Sequence, residues 1–575
     1  MVNSDMKNLR RLGILVPVFS LREENDLGVG DTRAMRKMVD WAAEHRIGFL
    51  QLLPINETGG DNSPYNAISS VALDPLLIDL ESIPQISREQ IQKADDAFVC
   101  HEGDEDLVDY DQSNRLKWSL LADAFEKFWS APERNSAFEA FCITESDWLT
   151  PYTKFRYLMG ITGSEAWEAW PKEYNTAEKA EEYLASMPSD ELAKQLAYYG
   201  WVQWHAFSQW RELRDYAGER NVKLMGDIPI GISYCSADVF FESQWFDLEL
   251  SGGSPPETVF KDDAFACQWG QNWGIPLYRW DVLEKDDFSW WRRRIEKLTD
   301  VFHIFRIDHI IGFYRIFSFP WRPPRNEEFI GLSTEEAKKI TGGALPGFQP
   351  RPDDTCENKA ANLADGDKYI KMVLESAGDA EVVGEDLGCV PDYVRPHLEQ
   401  MGVAGFKVCQ WEIQDNGRVV PGSAYPECAF TTYATHDHDS IPAMWKTLTS
   451  VLGSAEKEGA LRDLSILSEF GGLPFSETEK TFAAYGTVVK WALFDKLLKS
   501  NADYAALMVT DVIDSTRRIN IPGTVGGENW RYRLPYKLAD MPENVCQEWR
   551  KPCCSIAWPT CSSPANCSSC SMSTA

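Results

Sequence analysis

The sequence has no long hydrophobic run and carries little positive charge for its size. No uninterrupted apolar segment approaches the roughly 18 to 20 residues of a membrane span, and the N-terminal segment MVNSDMKNLRRLG has no apolar signal core. Lys and Arg number 57 against 88 Asp and Glu, a formal net charge of -31 that would repel a phosphate backbone. We therefore expect a cytoplasmic protein with no membrane and no nucleic acid among its partners.

Cysteine is sparse outside the C-terminal end of the chain. Nine of the 14 cysteines are scattered singly between Cys100 and Cys546, as small buried hydrophobic residues are, and the other five lie in residues 551–575. That tail is low in complexity and has no core pattern. Its single CxxC spacing lacks a second matched pair or histidines. We expect a disordered tail, with a metal site as the alternative.

Aromatic residues are abundant, with 22 Trp, 20 Tyr and 28 Phe among 575 residues. Flat rings suit the apolar faces of sugars, but they also fill large protein cores. The composition alone therefore gives only a hint of a carbohydrate ligand.

Eight short apolar runs rich in β-branched residues alternate with helical patterns, which is typical of βα units around a parallel sheet. No Gly-rich phosphate-binding fingerprint follows the first run, and this favours a closed barrel over an open doubly wound sheet. The sequence predicts an α/β fold, a (β/α)8 TIM barrel within residues 1–550. The eight predicted strands are 12–19, 47–55, 222–230, 301–309, 381–387, 403–411, 429–435 and 518–522.

Three stretches are longer than a barrel crossover requires. Residues 81–215 are rich in Ala, Glu, Leu, Trp and Lys at helical spacing, and we expect a mostly helical insertion there. Residues 251–280 and 327–365 contain Gly and Pro clusters that are typical of loops. We expect two smaller insertions at these positions.

Four of the predicted strands end in a carboxylate, namely Asp227, Asp308, Glu385 and Asp437. Barrel enzymes place their reacting groups at the C-terminal ends of the strands. Acidic side chains that converge there are costly to desolvate and repel one another, so their crowding indicates a function. The alternative is that one or two of them merely cap the following helix.

Converging carboxylates suit either a divalent metal ion or the cleavage of a glycosidic bond. Arg306 lies two residues before Asp308, on the same side of a strand, and would hold that aspartate ionised as a nucleophile requires. Glu385 follows the apolar stretch 382–384, where low polarity and a nearby negative charge would raise its pKa, as a general acid requires. The residues thus favour acid and nucleophile roles at a sugar.

The segment His436-Asp437-His438-Asp439 also permits a metal site, because imidazole and carboxylate are ordinary ligands. Metal-dependent barrel hydrolases usually carry such an HxH pair on the first strand, but the first strand here is LGILVPVF. We therefore favour a site without metal, in which His436 and Asp437 bind sugar hydroxyls. Metal catalysis remains the alternative.

An ordered set of motifs resembles the α-amylase superfamily, and most closely glycoside hydrolase family 77, the amylomaltases or 4-α-glucanotransferases. The motifs are LVPVFSLREENDLGVGD, SPYNAISSVALDPLLIDL at 63–80, SADVF at 236–240, GQNWGIPLYRW at 270–280, and NIPGT followed by ENWRYR at 520–533. The resemblance implies a (β/α)8 barrel with inserted subdomains, no C-terminal β-sandwich and no cofactor.

The resemblance also implies roles for single residues. Asp308 would be the nucleophile, Glu385 the general acid and then base, and Asp437 the stabiliser of the transition state. The residues that match sugar contacts of the family are Tyr65, Asp227, Arg306, His309, His436, Gln271, Trp273 and Asn520. As alternatives, Tyr65 and Trp273 would be packing aromatics and Asn520 a turn residue.

The activity implied is the transfer of α-1,4-glucan segments to glucose or maltooligosaccharide acceptors, by a retaining double displacement. The alternatives are an α-1,4-glucan hydrolase of the same superfamily and a catalytically silent glucan-binding protein. One departure concerns the acceptor-side loop, where the family commonly reads APPDYF followed directly by GQxWG. Here residues 253–260 are separated from Gln271 by a longer stretch, so the preferred acceptor does not follow from the resemblance.

Overall fold

The computed structural model describes residues 10–100, 102–132, 135–257, 263–453, 457–542 and 545. The expected tail at 551–575 and residues 258–262 of the acceptor-side loop lie outside them. Within the described residues the strands are β1 Arg11–Leu15, β2 Phe49–Gln51, β3 Lys223–Ile228, β4 Phe246–Ser254, β5 Gln271–Tyr278, β6 Ile304–Ile307, β7 Ile316–Phe319, β8 Gly347–Gln349, β9 Glu381–Gly384, β10 Ala404–Val408, β11 Ala429–Thr432, β12 Phe475–Ser476, β13 Thr481–Phe482 and β14 Tyr504–Met508.

Eight of these strands close into a parallel barrel in the order β1-β14-β11-β10-β9-β6-β3-β2. The register of the sheet pairs Asp227 of β3 with Arg306 of β6, and Ile304 of β6 with Glu381 of β9. Because all strands run in one direction, their carboxyl ends meet at one mouth of the barrel. The predicted (β/α)8 fold is confirmed.

Seven of the eight predicted strands overlap a barrel strand, but the prediction for 518–522 is wrong. The eighth strand is β14, whose sequence YAALM is fully buried although its alanines have little intrinsic strand preference. Residues 518–522 instead lie at the barrel mouth, where Ile521 is half exposed. Pro522 also has no N–H with which to join a sheet ladder.

The barrel interior is closed by a layer of large side chains. The Phe49 ring of β2 packs at a tilt against the Phe430 ring, with centroids 6.0 Å apart. A Cβ on Gly13 of β1 would meet the Phe49 ring at 2.1 Å, so only glycine fits there. The filled interior means that the reactive groups lie above it, at the mouth. The residues of this layer are Phe49, Met225, Ile304, Val383, Ala404, Phe406, Phe430, Tyr504 and Ala506.

Helices surround the barrel, and six of them, α2 to α7, lie largely within 81–215. No helix of the described residues is long and apolar enough to cross a membrane. The helices are α1 Thr32–Glu44, α2 Arg88–Asp96, α3 Tyr110–Trp129, α4 Ser136–Thr144, α5 Ser146–Thr162, α6 Ala177–Ala185, α7 Ser189–Glu219, α8 Ala237–Phe241, α9 Ala264–Trp269, α10 Trp280–Lys285, α11 Ser289–Thr299, α12 Thr334–Thr341, α13 Cys356–Ala377, α14 Val394–Met401, α15 Ile441–Ser450, α16 Lys457–Gly471, α17 Thr487–Leu498 and α18 Val509–Val512.

The stretches 251–280 and 327–365 contain more regular structure than their loop-like composition indicates. Strands β5, β4, β7 and β8 form, in that order, an antiparallel sheet beside the barrel mouth. Its β4 strand ends in Ser-Gly-Gly-Ser, which has no strand preference, yet its backbone pairs with β5 on one side and β7 on the other. Tertiary pairing therefore sets the conformation of this segment.

Candidate active site

An open cleft of about 1400 Å³ lies at the mouth of the barrel. Its walls come from the loops that follow the barrel strands, from the helical insertion and from the antiparallel sheet. Of the candidate residues, those that line this cleft are Tyr65, Gln271, Trp273, Arg306, Asp308, His309, Glu385, His436, Asp437 and Asn520. Asp227 lies directly beneath them.

Arg306 on β6 joins two carboxylates at the base of the cleft. Its guanidinium donates to Asp227 Oδ2 at 2.5 Å and to Asp308 Oδ1 at 2.6 Å. The Tyr65 hydroxyl donates to the same Oδ2 of Asp227 at 2.6 Å. Burial raises the pKa of Asp227 although Arg306 opposes it. With 2% of its surface exposed, Asp227 is a buried partner of Arg306 and Tyr65, and its predicted contact with a sugar stays a prediction.

Asp308 follows the last residue of β6 at a sharp turn. Its backbone N–H continues the barrel ladder by donating to the Ile228 carbonyl at 2.9 Å. The next residue, His309, has φ of 49°, a left-handed conformation that non-glycine residues seldom adopt and that is frequent at functional sites. The N–H of His309 donates to Glu385 Oε2 at 2.8 Å, so this turn ties the two carboxyl groups together.

Glu385 follows β9 and is 9% exposed. Its carboxyl accepts two backbone N–H bonds, from His309 at 2.8 Å and from Leu387 at 2.9 Å. Burial first, and the negative charge of Asp308 second, raise its pKa to about 8, against the opposing effects of Arg306 and the His309 N–H. Glu385 therefore holds a proton near neutrality, as a general acid requires.

Asp437 follows β11 and behaves in the opposite way. Burial by itself would raise its pKa, but the charge of His436 and a hydrogen bond from Asn520 Nδ2 outweigh it, and the pKa is lowered. That hydrogen bond reaches Oδ1 at 2.6 Å, and His436 Nε2 lies 3.4 Å from Oδ2. Asp437 thus stays ionised at the pH at which Glu385 is protonated.

Aromatic rings form two sides of the cleft. The Tyr65 ring stacks on the His436 imidazole with centroids 5.2 Å apart, and Trp530 packs against both. On the antiparallel sheet, Trp273 is 37% exposed and meets the His309 ring edge to face at 4.9 Å. These rings offer flat apolar surfaces next to the carboxyl groups.

The sequence does not reveal two residues of the site. Trp530 lies inside the motif ENWRYR, and nothing in the motif distinguishes it from a packing aromatic. Arg518 begins the wrongly predicted strand 518–522. Its guanidinium donates to the Asp437 carbonyl and to the Asn520 carbonyl at 3.1 Å, and it pairs with the Asp439 carboxylate at 3.3 Å. It fixes the backbone that presents Asp437, and nothing in its local sequence signals this role.

No group of three or more His, Cys, Asp or Glu side chains that could hold a metal ion occurs among the described residues. In the segment 436–439, His436 stacks on Tyr65, while His438 Nδ1 lies 2.9 Å from the Thr435 hydroxyl. The HxH pair is thus engaged in separate contacts.

Comparison with known proteins identifies similar chains. A family model described as 4-alpha-glucanotransferase matches residues 16–539. The 4-alpha-glucanotransferase of Thermus thermophilus is 31% identical over 532 residues, which cover 91% of this chain and 95% of that protein. That of Chlamydia pneumoniae is 30% identical over 540 residues, 92% of each chain. The fold is shared with the amylomaltase from Streptococcus agalactiae in complex with acarbose, with a TM-score of 0.74 at 23% identity over 94% of this chain and 98% of that one.

Proposed function

The chain belongs to the 4-α-glucanotransferases of glycoside hydrolase family 77, and we propose that Asp308, Glu385 and Asp437 carry out the transfer by a retaining double displacement. The donors are α-1,4-glucans and maltooligosaccharides, and the acceptors are glucose or another glucan. One observation supports this most directly: a single cleft holds a carboxyl group that keeps its proton to about pH 8 beside an Arg-bound aspartate and an ionised aspartate.

In the first step Asp308 attacks the anomeric carbon of the donor. Arg306 binds its Oδ1, while Oδ2 accepts no hydrogen bond from the described residues and is the oxygen that forms the new ester. The bond from the anomeric carbon to the glycosidic oxygen breaks, and Glu385 gives its proton to that oxygen. The shortened glucan leaves with a free 4-hydroxyl group.

In the second step the 4-hydroxyl of an acceptor attacks the same carbon, and the ester bond to Asp308 breaks. Glu385, now a carboxylate, takes the hydroxyl proton and returns to its starting state. Two inversions give net retention, which requires the carboxyl groups of Asp308 and Glu385 to act about 5 to 5.5 Å apart. Asp437 stabilises the positive charge that develops on the sugar ring.

Water competes with the acceptor in the second step, and its attack would make the enzyme a hydrolase. Transfer prevails where the acceptor is held in position, because binding multiplies its effective concentration. Trp273 and its partner Gln271, joined by an N–H···O bond of 3.1 Å, stand beside His309 and are suited to hold an acceptor sugar.

Incubation with maltotriose tests the proposal. We expect glucose and longer maltooligosaccharides to accumulate while the total of reducing ends stays constant, since transfer conserves it. Asp308→Ala should lower the rate at which maltotriose is converted by at least about three orders of magnitude and leave the melting temperature unchanged. A rising total of reducing ends would instead identify a hydrolase, and binding without products a silent glucan-binding protein.

A further inference from the structure

Four side chains join the helical insertion, the barrel and the antiparallel sheet across one arm of the cleft. Trp167 and Glu168 follow helix α5, Tyr234 follows strand β3, and Arg322 follows strand β7. We call this group the cleft bracket. Tyr234 and Arg322 line the same cleft as the three carboxyl groups, and the bracket makes no hydrogen bond to any of those three within the described residues.

The bracket is held by stacking and by one shared carboxylate. Trp167 stacks on Tyr234 at 10° with centroids 5.3 Å apart, and the Arg322 guanidinium carbon lies 3.4 Å from the centroid of the same ring. Glu168 accepts from the Tyr234 hydroxyl at 3.0 Å and from Arg322 Nη1 at 2.7 Å. An exposed ion pair alone would contribute little to stability. Here the ring and the carboxylate together fix the orientation of the planar guanidinium, so its free N–H groups are held ready to bind a ligand.

The position of the bracket follows from a short chain of contacts. Trp273 meets His309, the neighbour of Asp308. A Cβ on Gly274, the residue after Trp273, would lie 3.1 Å from the ring of Pro323, and Pro323 follows Arg322. The bracket therefore adjoins the Trp273 side of the cleft, and none of its four side chains contacts the three carboxyl groups in the part of the chain that the structure describes.

Arg322 has unused donors at this surface. Only Nη1 donates to a described residue, so Nε and Nη2 have no hydrogen-bond partner in the part of the chain that the structure describes. A fixed guanidinium with two N–H-bearing nitrogens on a cleft wall matches the paired hydroxyl oxygens of a sugar ring. The neutral or negative groups around it do not offer the cluster of cations that an anionic ligand would require.

We propose that the cleft bracket is a remote sugar subsite in which Arg322 binds hydroxyl groups of a glucan unit beyond those that Trp273 contacts. This inference rests on the proposed transferase function and adds a preference for chain length. A maltotriose is too short to span the cleaved bond, Trp273 and the bracket at once in most of its binding registers, whereas a maltoheptaose spans all three. The subsite therefore favours longer substrates.

The test is the ratio of kcat/KM for maltoheptaose to that for maltotriose in Arg322→Ala. Loss of a hydrogen bond from a charged donor predicts a roughly tenfold fall in kcat/KM for maltoheptaose, mainly through KM, and a smaller fall for maltotriose. Arg322→Lys keeps the charge but loses the stacked fork, and we expect it to restore the ratio only in part.

Arg325→Ala is the matched control. Arg325 lies three residues further on and pairs with Glu328 at the exposed surface, away from the cleft. Its ratio should equal that of the wild type. If Arg322→Ala lowered kcat/KM equally for maltoheptaose and maltotriose, or did not lower it at all, the proposal of a subsite would be wrong.

Calorimetric titration of the same variants with the two sugars separates this inference from the proposed function. If the wild type bound maltoheptaose but formed no products, the transferase proposal would fail while the difference in affinity still tested the bracket. If products formed and Arg322→Ala bound both sugars as the wild type does, only the bracket would fail.

Discussion

The two ends of strand β9 carry the same kind of side chain in opposite situations. Glu381, its first residue, lies at the floor of the barrel, where it accepts two bonds from Arg11 Nη1 at 2.6 and 2.7 Å and one from the Tyr504 hydroxyl. Glu385, just past its last residue, lies at the mouth, and among the described residues it accepts only from backbone N–H groups. The two glutamates are four residues apart in the sequence, at opposite ends of the same strand.

The two glutamates differ in which carboxylates their nearest arginine binds. At the floor Arg11 pairs with one carboxylate, and that group is satisfied. At the mouth Arg306 pairs with Asp227 and Asp308, so Glu385 stands near a cation that is already engaged and beside an aspartate that repels its charge. Burial is the main reason that Glu385 keeps its proton, and the charge of Asp308, which shares Arg306 with Asp227, adds to it.

Replacing each glutamate by glutamine should give the largest contrast. Glu385→Gln removes the proton donor, and we expect kcat/KM for maltotriose to fall by about 10²- to 10⁴-fold. Glu381→Gln should leave kcat/KM within a factor of about two and act on stability instead. Assays of both purified variants at pH 7 check this. Comparable losses of activity would show that the floor contributes to the reaction.

Removing each arginine should separate the two ends by stability. Arg306→Leu leaves the buried Asp227 and the half-buried Asp308 without their cation and should lower the free energy of unfolding by about 3 to 5 kcal/mol. The side chains of the Arg11–Glu381 pair are 20% and 36% exposed, and Arg11→Leu should cost about 1 kcal/mol. Urea unfolding followed by circular dichroism measures both. Equal losses in the free energy of unfolding would show that the two arginines stabilise the protein to the same extent.

The protonation of Glu385 predicts a pH dependence that the floor does not share. With a pKa of about 8, Glu385 loses its proton as the pH rises through that value, so kcat/KM should fall about tenfold per pH unit above it. Asp437, with a lowered pKa, stays ionised on the acid side of this limit. Glu381→Gln should leave the fall of kcat/KM at alkaline pH unchanged. If the residual activity of Glu385→Gln fell at the same pH, the fall would belong to a group other than Glu385.

The same pKa predicts an effect on stability of defined sign. The unfolded chain releases this proton near the ordinary value of 4.5, whereas the folded chain holds it to about 8. The contribution of Glu385 to the free energy of unfolding is thus complete below about pH 4.5 and is lost as the pH rises to about 8. The difference between wild type and Glu385→Gln, measured by urea unfolding from pH 5 to 9, isolates it from other titrating groups.

Sequence reasoning succeeded where one local pattern determines the outcome. Asp227, Asp308 and Glu385 each stand at or next to the end of a buried strand, and a parallel barrel brings such ends together. The raised pKa of Glu385 could likewise be expected from its apolar neighbours and an adjacent charge. These features depend on short segments and on the general geometry of the fold.

Local sequence patterns do not predict the structure where contacts between distant segments determine the conformation. The strand YAALM has weak intrinsic preference and is fixed by pairing with β1 and β11, and the Ser-Gly-Gly-Ser end of β4 is fixed by its two neighbours. The role of Arg518 depends on carbonyl groups of Asp437 and Asn520 that only the folded loops bring to it. The partners of these segments are far away in sequence, so local patterns contain no signal for them.

The tyrosines of the two clusters allow the finest comparison, because Tyr→Phe removes one hydroxyl and leaves the ring. Tyr65 donates to Asp227 at the mouth, and Tyr504 donates to Glu381 at the floor. Each loss should cost about 1 kcal/mol of stability. Of the two variants, only Tyr65→Phe loosens Asp227, which orients Arg306 and, through it, Asp308. Tyr65→Phe should therefore lower kcat about threefold to tenfold with KM little changed. Tyr504→Phe should leave both kcat and KM unchanged. If the two variants lost equal stability and neither changed kcat, the hydroxyl of Tyr65 would serve the fold alone, and the chain of contacts from Tyr65 through Asp227 and Arg306 to Asp308 would transmit no positioning to the reacting carboxylate.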